Sequence, residues 1–187
     1  MILDRSNSKI IISENNESNT VIKTAKNPDK NSPLDSIWFE KYNHLQNNNE
    51  AFVKVYSTNG FDTFEMEKLD ILLTVNDLFC FNKNPKQEHI TKDLICDIVY
   101  AMQSTWNDMM QFSKTLKEDL FFLHGDFTLS NIVVTKDFKV KLIDVNAIIE
   151  NDYKLSAKHI RKYYFSQLEL MGKIQDYYYD VGAQNHV

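Results

Sequence analysis

The sequence predicts an α+β chain of two lobes. Residues 1–70 read as a five-stranded antiparallel sheet with one helix, and residues 71–187 as a mainly helical second part. Three observations predict this. Short β-branched runs separated by polar turn residues crowd the first part. From Lys92 onward apolar residues recur at helical spacing. Between the helical stretches lies a strand, a loop and a hairpin, "DLFFLHGDFTLSNIVVTKDFKVKLID".

The elements follow in order. "MILD", "KIIIS" and "TVIKTAK" are three strands separated by "RSNS" and "ENNESN", both turn chemistry. A helix follows, with Ser32 as N-cap, Pro33 at the first helical position and Asp35 three after the cap. Leu34, Ile37, Trp38 and Leu45 supply its apolar stripe. "AFVKVYSTNGFDTFEMEKLD" reads as two strands joined at Thr58-Asn59-Gly60, because Asn-Gly supplies the positive φ angles of a tight hairpin. From Lys92 to Leu116, apolar residues at 94, 95, 98, 99, 102, 106, 109, 110 and 116 mark a long amphipathic helix. "NIVVTKDFKVKLID" is a hairpin turning around Lys136 to Phe138, and Tyr153 to Tyr179 is helical again.

Composition excludes several classes of function. With 43% hydrophobic and 25% charged residues, the 187-residue chain suits a globular protein with a real core. A formal charge of −5 with no basic stripe gives no reason to expect nucleic acid. No run of about eighteen apolar residues predicts a membrane span, and the N-terminus lacks a signal peptide's apolar core. Cys80 and Cys96 form no C-x-x-C pair and read as buried reduced thiols of a cytoplasmic protein. The histidines lack zinc-ligand spacing. Nothing in the pattern specifies an oligomeric state.

The chemistry concentrates in "FLHGDFTLSN". Phosphoryl transfer needs donor and acceptor held in line, metal ions to offset developing charge, and a carboxylate to orient the attacking hydroxyl and take its proton. Asp126 suits the carboxylate facing the acceptor. Asn131, five residues later, suits an amide oxygen turned to Mg²⁺, and Asp144 at the end of "KVKLID" suits a hard anionic metal ligand. An antiparallel hairpin returns to where it began, so Asn131 and Asp144 meet at one edge. The alternative is a loop whose Asp and Asn only cap turns.

"HGDFTLSN" followed by "KLID" resembles the H-x-D-x-x-x-x-N and metal-binding Asp motifs of the protein-kinase-like superfamily. The His-Gly-Asp form is similar to the small-molecule kinase branch: aminoglycoside phosphotransferases, choline kinases, and bacterial kinases of capsule and lipopolysaccharide sugars. In protein kinases an Arg at the middle position commonly pairs with a phosphorylated activation loop, which Gly125 cannot do. The resemblance implies a two-lobed kinase-like fold, ATP and Mg²⁺ as cofactors, and a small-molecule hydroxyl as acceptor.

It also implies further site residues. Lys23 on the third strand would contact the phosphates, unless it is an ordinary edge-strand lysine. Glu40 would pair with it, but at 100° per residue it lies off the helix's apolar stripe and equally suits a solvated position. Backbone groups from Glu67 to Leu69 would read the adenine, with Met66 lining its pocket or simply filling core. Two departures stand out. "RSNS" carries no glycine where protein kinases have a Gly-rich loop, although Ser6 and Ser8 could contact phosphate. "DVN" replaces D-F-G, and the 43 residues after Asp144 imply a reduced acceptor-binding part. In the tail, Lys158, His159, Arg161 and Lys162 form a basic cluster, read as a solvated helix face or as contacts for an anionic acceptor. Tyr163, Tyr164 and Phe165 read as core. The expected function is an ATP- and Mg²⁺-dependent phosphotransferase; the alternatives are a pseudokinase that binds nucleotide or a protein partner without catalysis and, less favoured because of Gly125 and the short segment after Asp144, a protein kinase.

Overall fold

The computed structural model describes residues 3–4, 10–15, 19–25, 36–59, 63–79, 90–116, 120–124, 126–144, 148–150 and 153–184. Ser6, Ser8, Ser32, Pro33, Leu34, Asp35, Gly60, Cys80, Gly125 and the Val145–Asn146 pair lie outside them, as do the side chains of Ile37, Trp38 and His159.

The fold is α+β, and among the described residues the strands pair antiparallel in three sheets. Strands β1 (Leu3–Asp4), β2 (Ile10–Asn15), β3 (Thr20–Ala25), β4 (Val55–Asn59) and β5 (Thr63–Glu67) form the first, in the order β1-β2-β3-β5-β4. Strand β3 is therefore central. Lys23 pairs with Ile12 on one side and Phe64 on the other, so it is not an edge-strand lysine. A second sheet joins β6 (Ile71–Thr74), β8 (Ile132–Thr135) and β9 (Val140–Leu142) in the order β6-β8-β9. A two-stranded ribbon pairs β7 (Leu120–Phe122) with β10 (Ile148–Glu150). Thr74 ends β6 and caps the one-turn helix α2 (Val75–Leu78), its side chain accepting from the Asp77 amide.

Helix α1 (Ser36–Asn48) docks on β4 through Tyr42, Leu45 and Gln46, which share one face and are all buried. The Tyr42 hydroxyl donates to the Val53 carbonyl at 2.6 Å. Gln46 imitates a strand: its amide donates to the Val55 carbonyl at 2.8 Å, and its oxygen accepts from the Val55 amide at 2.6 Å. Helix α3 (Lys92–Ser113) starts at Thr91, whose side chain accepts from the Leu94 amide, and buries a stripe from Leu94 to Met109. Cys96 falls outside that stripe and is free and exposed, not buried.

The two larger sheets are stitched together at β9. The Val53 amide donates to the Leu142 carbonyl and the Leu142 amide donates to the Ala51 carbonyl, at 3.2 and 2.6 Å. Lys141 on β9 reaches Glu67 at the end of β5 (3.2 Å), both mostly buried. The core runs continuously from Tyr42 and Phe52 through α3 to Phe127 and Tyr163.

The last helix, α4 (Tyr153–Gln184), packs Tyr163, Ser166 and Leu170 inward. Tyr163 stacks on Trp106 of α3, with ring centroids 4.0 Å apart. Tyr164 and Phe165 are more than half exposed, so the aromatic triplet splits. Consecutive helical residues lie 100° apart, and three in a row cannot share one buried face.

Candidate active site

The loop after β7 is fixed from below. The Phe122 amide donates to Ser113 Oγ at 2.9 Å, which in turn donates to the Met109 carbonyl at 2.8 Å. The strand thus leaves α3 at a defined height. His124 is fully buried and holds the loop at two points. The Asp126 amide donates to its Nδ1 at 3.0 Å, which makes Nδ1 the acceptor and leaves the proton on Nε2; Nε2 donates to the Ile143 carbonyl at 2.7 Å. One imidazole therefore ties the Asp126 backbone to the residue before Asp144. Phe127, fully buried, meets Trp106, Tyr163 and His124 edge-on at 6.1, 5.0 and 5.6 Å and pins the loop from the other side.

From this base the chain carries Asp126 outward, its carboxylate well exposed. A 3₁₀ turn at Leu129–Asn131 returns Asn131 to the same place. Its amide nitrogen donates to the Asp126 backbone carbonyl at 2.7 Å and lies 3.5 Å from the Asp126 carboxylate. That commitment leaves the amide oxygen as the end available to a ligand. The Ile143 amide donates to the Asn131 carbonyl at 2.9 Å, so both ends of the β8–β9 hairpin meet. Asp144 follows with φ 63°, in the left-handed region that a short polar side chain tolerates.

Asp144 Oδ1 accepts from Lys23 Nζ, an ion pair spanning from the first sheet to the end of β9. Burial lowers the Lys23 ammonium to about 8. The adjoining carboxylate favours the charged form, and this contact opposes the desolvation.

The remaining expected residues fall less tightly. Glu40 is exposed on the outer face of α1, as its angular offset allowed, and the carboxylate meeting Lys23 is that of Asp144. Met66 and Leu69 are partly buried and pack against the core. The Glu67 amide donates to the Lys54 carbonyl at 2.8 Å, while its carboxylate accepts from the Lys54 amide at 2.6 Å and faces Lys141. Its N–H is thus taken up within the sheet, and the backbone after it is what remains for a base.

One contact escapes sequence reasoning. Lys162 of α4 sets its ammonium 2.6 Å from Asp126 Oδ1, while Lys158 and Arg161 in the same basic cluster are exposed. No local pattern marks Lys162, because its partner lies on a different element. Among the described residues, no three His, Cys, Asp or Glu side chains gather as a metal site. A divalent cation here would use one carboxylate, an amide oxygen and oxygens of its own ligand. No helix among them is long and apolar enough to cross a membrane.

Among solved structures, the fold is similar to that of the Cydia pomonella granulovirus kinase PK-1, with a TM-score of 0.56 over 80% of this chain. The chain has a protein-kinase-like fold. The two sequences are 16% identical, so the likeness is one of fold, and the chain spans about half (53%) of that kinase's length. No protein-family model and no curated protein matches the sequence.

Proposed function

We propose that this kinase-like chain is an ATP- and Mg²⁺-dependent phosphotransferase that acts on a hydroxyl of a small molecule, a sugar or polysaccharide precursor being the class the His-Gly-Asp form implies. Residues 1–70 serve as the nucleotide-binding lobe and residues 71–187 carry the catalytic loop and the metal-binding hairpin. The observation that carries this reading is the Lys23–Asp144 ion pair. It brings a buried cation and a carboxylate from opposite sheets to the hairpin end where Asn131 and Asp126 also stand.

The residues fit a hard divalent cation. Asp144 offers a carboxylate, and Asn131 is held by its amide nitrogen so that its oxygen is the donor. When bound, the cation would offset negative charge on the nucleotide phosphates. Lys23 supplies a buried positive charge for those phosphates, and Met66 with the backbone from Glu67 to Leu69 forms the base-binding edge. Asp126 orients the acceptor hydroxyl and takes its proton. His124 does no proton chemistry: it holds the Asp126 backbone from beneath.

A nucleotide-binding pseudokinase is the second reading, favoured by the Lys162 contact that already engages Asp126. Two measurements separate them. Mg·ATP should raise the thermal midpoint of the wild type, and a metabolite panel should yield a labelled phosphorylated product. Asp126→Asn should abolish transfer and keep nucleotide protection, whereas Asp144→Asn should weaken the protection itself. Protection with no phosphorylated product from either the panel or a cell extract supports the pseudokinase.

A further inference from the structure

We propose that Lys162 is a positioning residue for Asp126, delivered to the catalytic loop by α4; the inference rests on the phosphotransferase reading above. The ammonium and Asp126 Oδ1 are 2.6 Å apart, a charge-assisted contact, although the two residues are separated by 36 positions. The contact is built from below. Ser166, one turn beyond Lys162 on the same face, is buried and donates to the Phe127 carbonyl at 2.8 Å. Tyr163, next to Lys162, stacks on Trp106 and meets the Phe127 ring edge-on. Two clamps on the residue after Asp126 thus set the height and rotation of α4, and that rotation aims Lys162 at the carboxylate.

The consequence is a carboxylate with its two oxygens in different roles. Lys162 holds Oδ1, and the backbone behind it is fixed by Asn131 and His124. Oδ2 has only the long 3.5 Å contact from the Asn131 amide nitrogen, the looser of the two, and is the oxygen that turns to the acceptor. In the transfer step the acceptor oxygen forms a bond to the γ-phosphorus as the bond from that phosphorus to the bridging oxygen breaks. The electron pair leaves with ADP, and the acceptor's proton passes to Oδ2. Among the described residues Lys162 pairs with Asp126 and Lys23 with Asp144, two separate contacts, so removal of Lys162 should slow turnover without weakening nucleotide binding.

The test uses the full chain with Mg·ATP as probe and ADP release as readout, water serving as acceptor where no hydroxyl compound is in hand. Lys162→Met should lower kcat by about 10- to 100-fold with KM for Mg·ATP unchanged, as expected for lost orientation. Lys162→Arg should retain most of the rate. A second readout needs no nucleotide. In reductive methylation followed by mass spectrometry, Lys162 should react several-fold more slowly than exposed Lys158 in the wild type, and as fast as Lys158 in Asp126→Asn. Should Lys162→Met not fold, the Arg variant and the wild-type footprint decide. An unchanged kcat in Lys162→Met, a matched rise in KM, or equal labelling of the two lysines overturns the proposal. A wild type that releases no ADP removes the phosphotransferase reading instead, and this role with it.

Discussion

Replacing His124 with Phe tests the idea that one buried imidazole holds the loop that carries Asp126 and Asn131. The substitution keeps an aromatic ring beside Phe127, now 5.6 Å away, but removes both ring hydrogen bonds, to the Asp126 amide and the Ile143 carbonyl. Each bond contributes about 1 kcal/mol net, and a buried carbonyl left without a donor adds about 1–2 kcal/mol, so the expected loss is about 3–4 kcal/mol. Against a typical domain stability of about 5–15 kcal/mol, that is large. Urea unfolding followed by tryptophan fluorescence reads it, since Trp106 lies 6.1 Å from Phe127 in the same cluster. His124→Gln, whose amide can still donate towards Ile143, should recover about half of the loss. A loss below about 1 kcal/mol for the Phe variant, or no advantage for Gln over Phe, refutes the claim that the imidazole bonds hold the loop.

Two further stability predictions use the same assay. Tyr163→Ala should destabilise by about 3–5 kcal/mol, because a buried ring stacked on Trp106 leaves a cavity, whereas Tyr164→Ala, exposed one position along, should stay within about 0.5 kcal/mol of wild type. Gln46→Ala removes both bonds to the Val55 backbone within the core and should cost about 2–4 kcal/mol, with Gln46→Leu no better, since the Val55 amide and carbonyl stay orphaned.

The sequence is most legible where one element's own pattern carries the signal. The β2, β3, β4 and β5 strands, α1, α3, the β8–β9 hairpin and α4 all follow from periodicity and turn residues. Strand β6 and its one-turn helix α2 escape because "ILLTVNDL" is one short apolar run, and nothing local shows that β6 leans on β8. Strand β10 escapes because its three residues make sense only against β7. The convergence of Asp126 and Asn131 is readable because they are five positions apart on one loop, and that of Asn131 and Asp144 because a hairpin joins them. The central place of Lys23 is only half readable: its strand can be named, but not the β3-β5 pairing that takes it off the edge. Glu40 shows the reverse case: of the two positions open to it, pairing with Lys23 or solvent, its helical angle marked the exposed one it occupies.

The site can therefore be understood as a problem of transmitting position between elements that share no sequence signal. Lys23 arrives on a strand, Asp144 on the end of a hairpin, Asp126 on a loop and Lys162 on a terminal helix. Asp126 and Lys162 stand at the surface and could not hold their own places, since a surface ion pair contributes only about 0–1 kcal/mol. What holds them is the buried layer beneath: Ser113 under β7, His124 between Asp126 and Ile143, and Phe127 between Trp106, Tyr163 and Ser166. The charged residues set what the site can do, and the buried ones set where. Substitutions in the buried layer should then lower activity and stability together, whereas substitutions of Asp126 or Lys162 should separate the two.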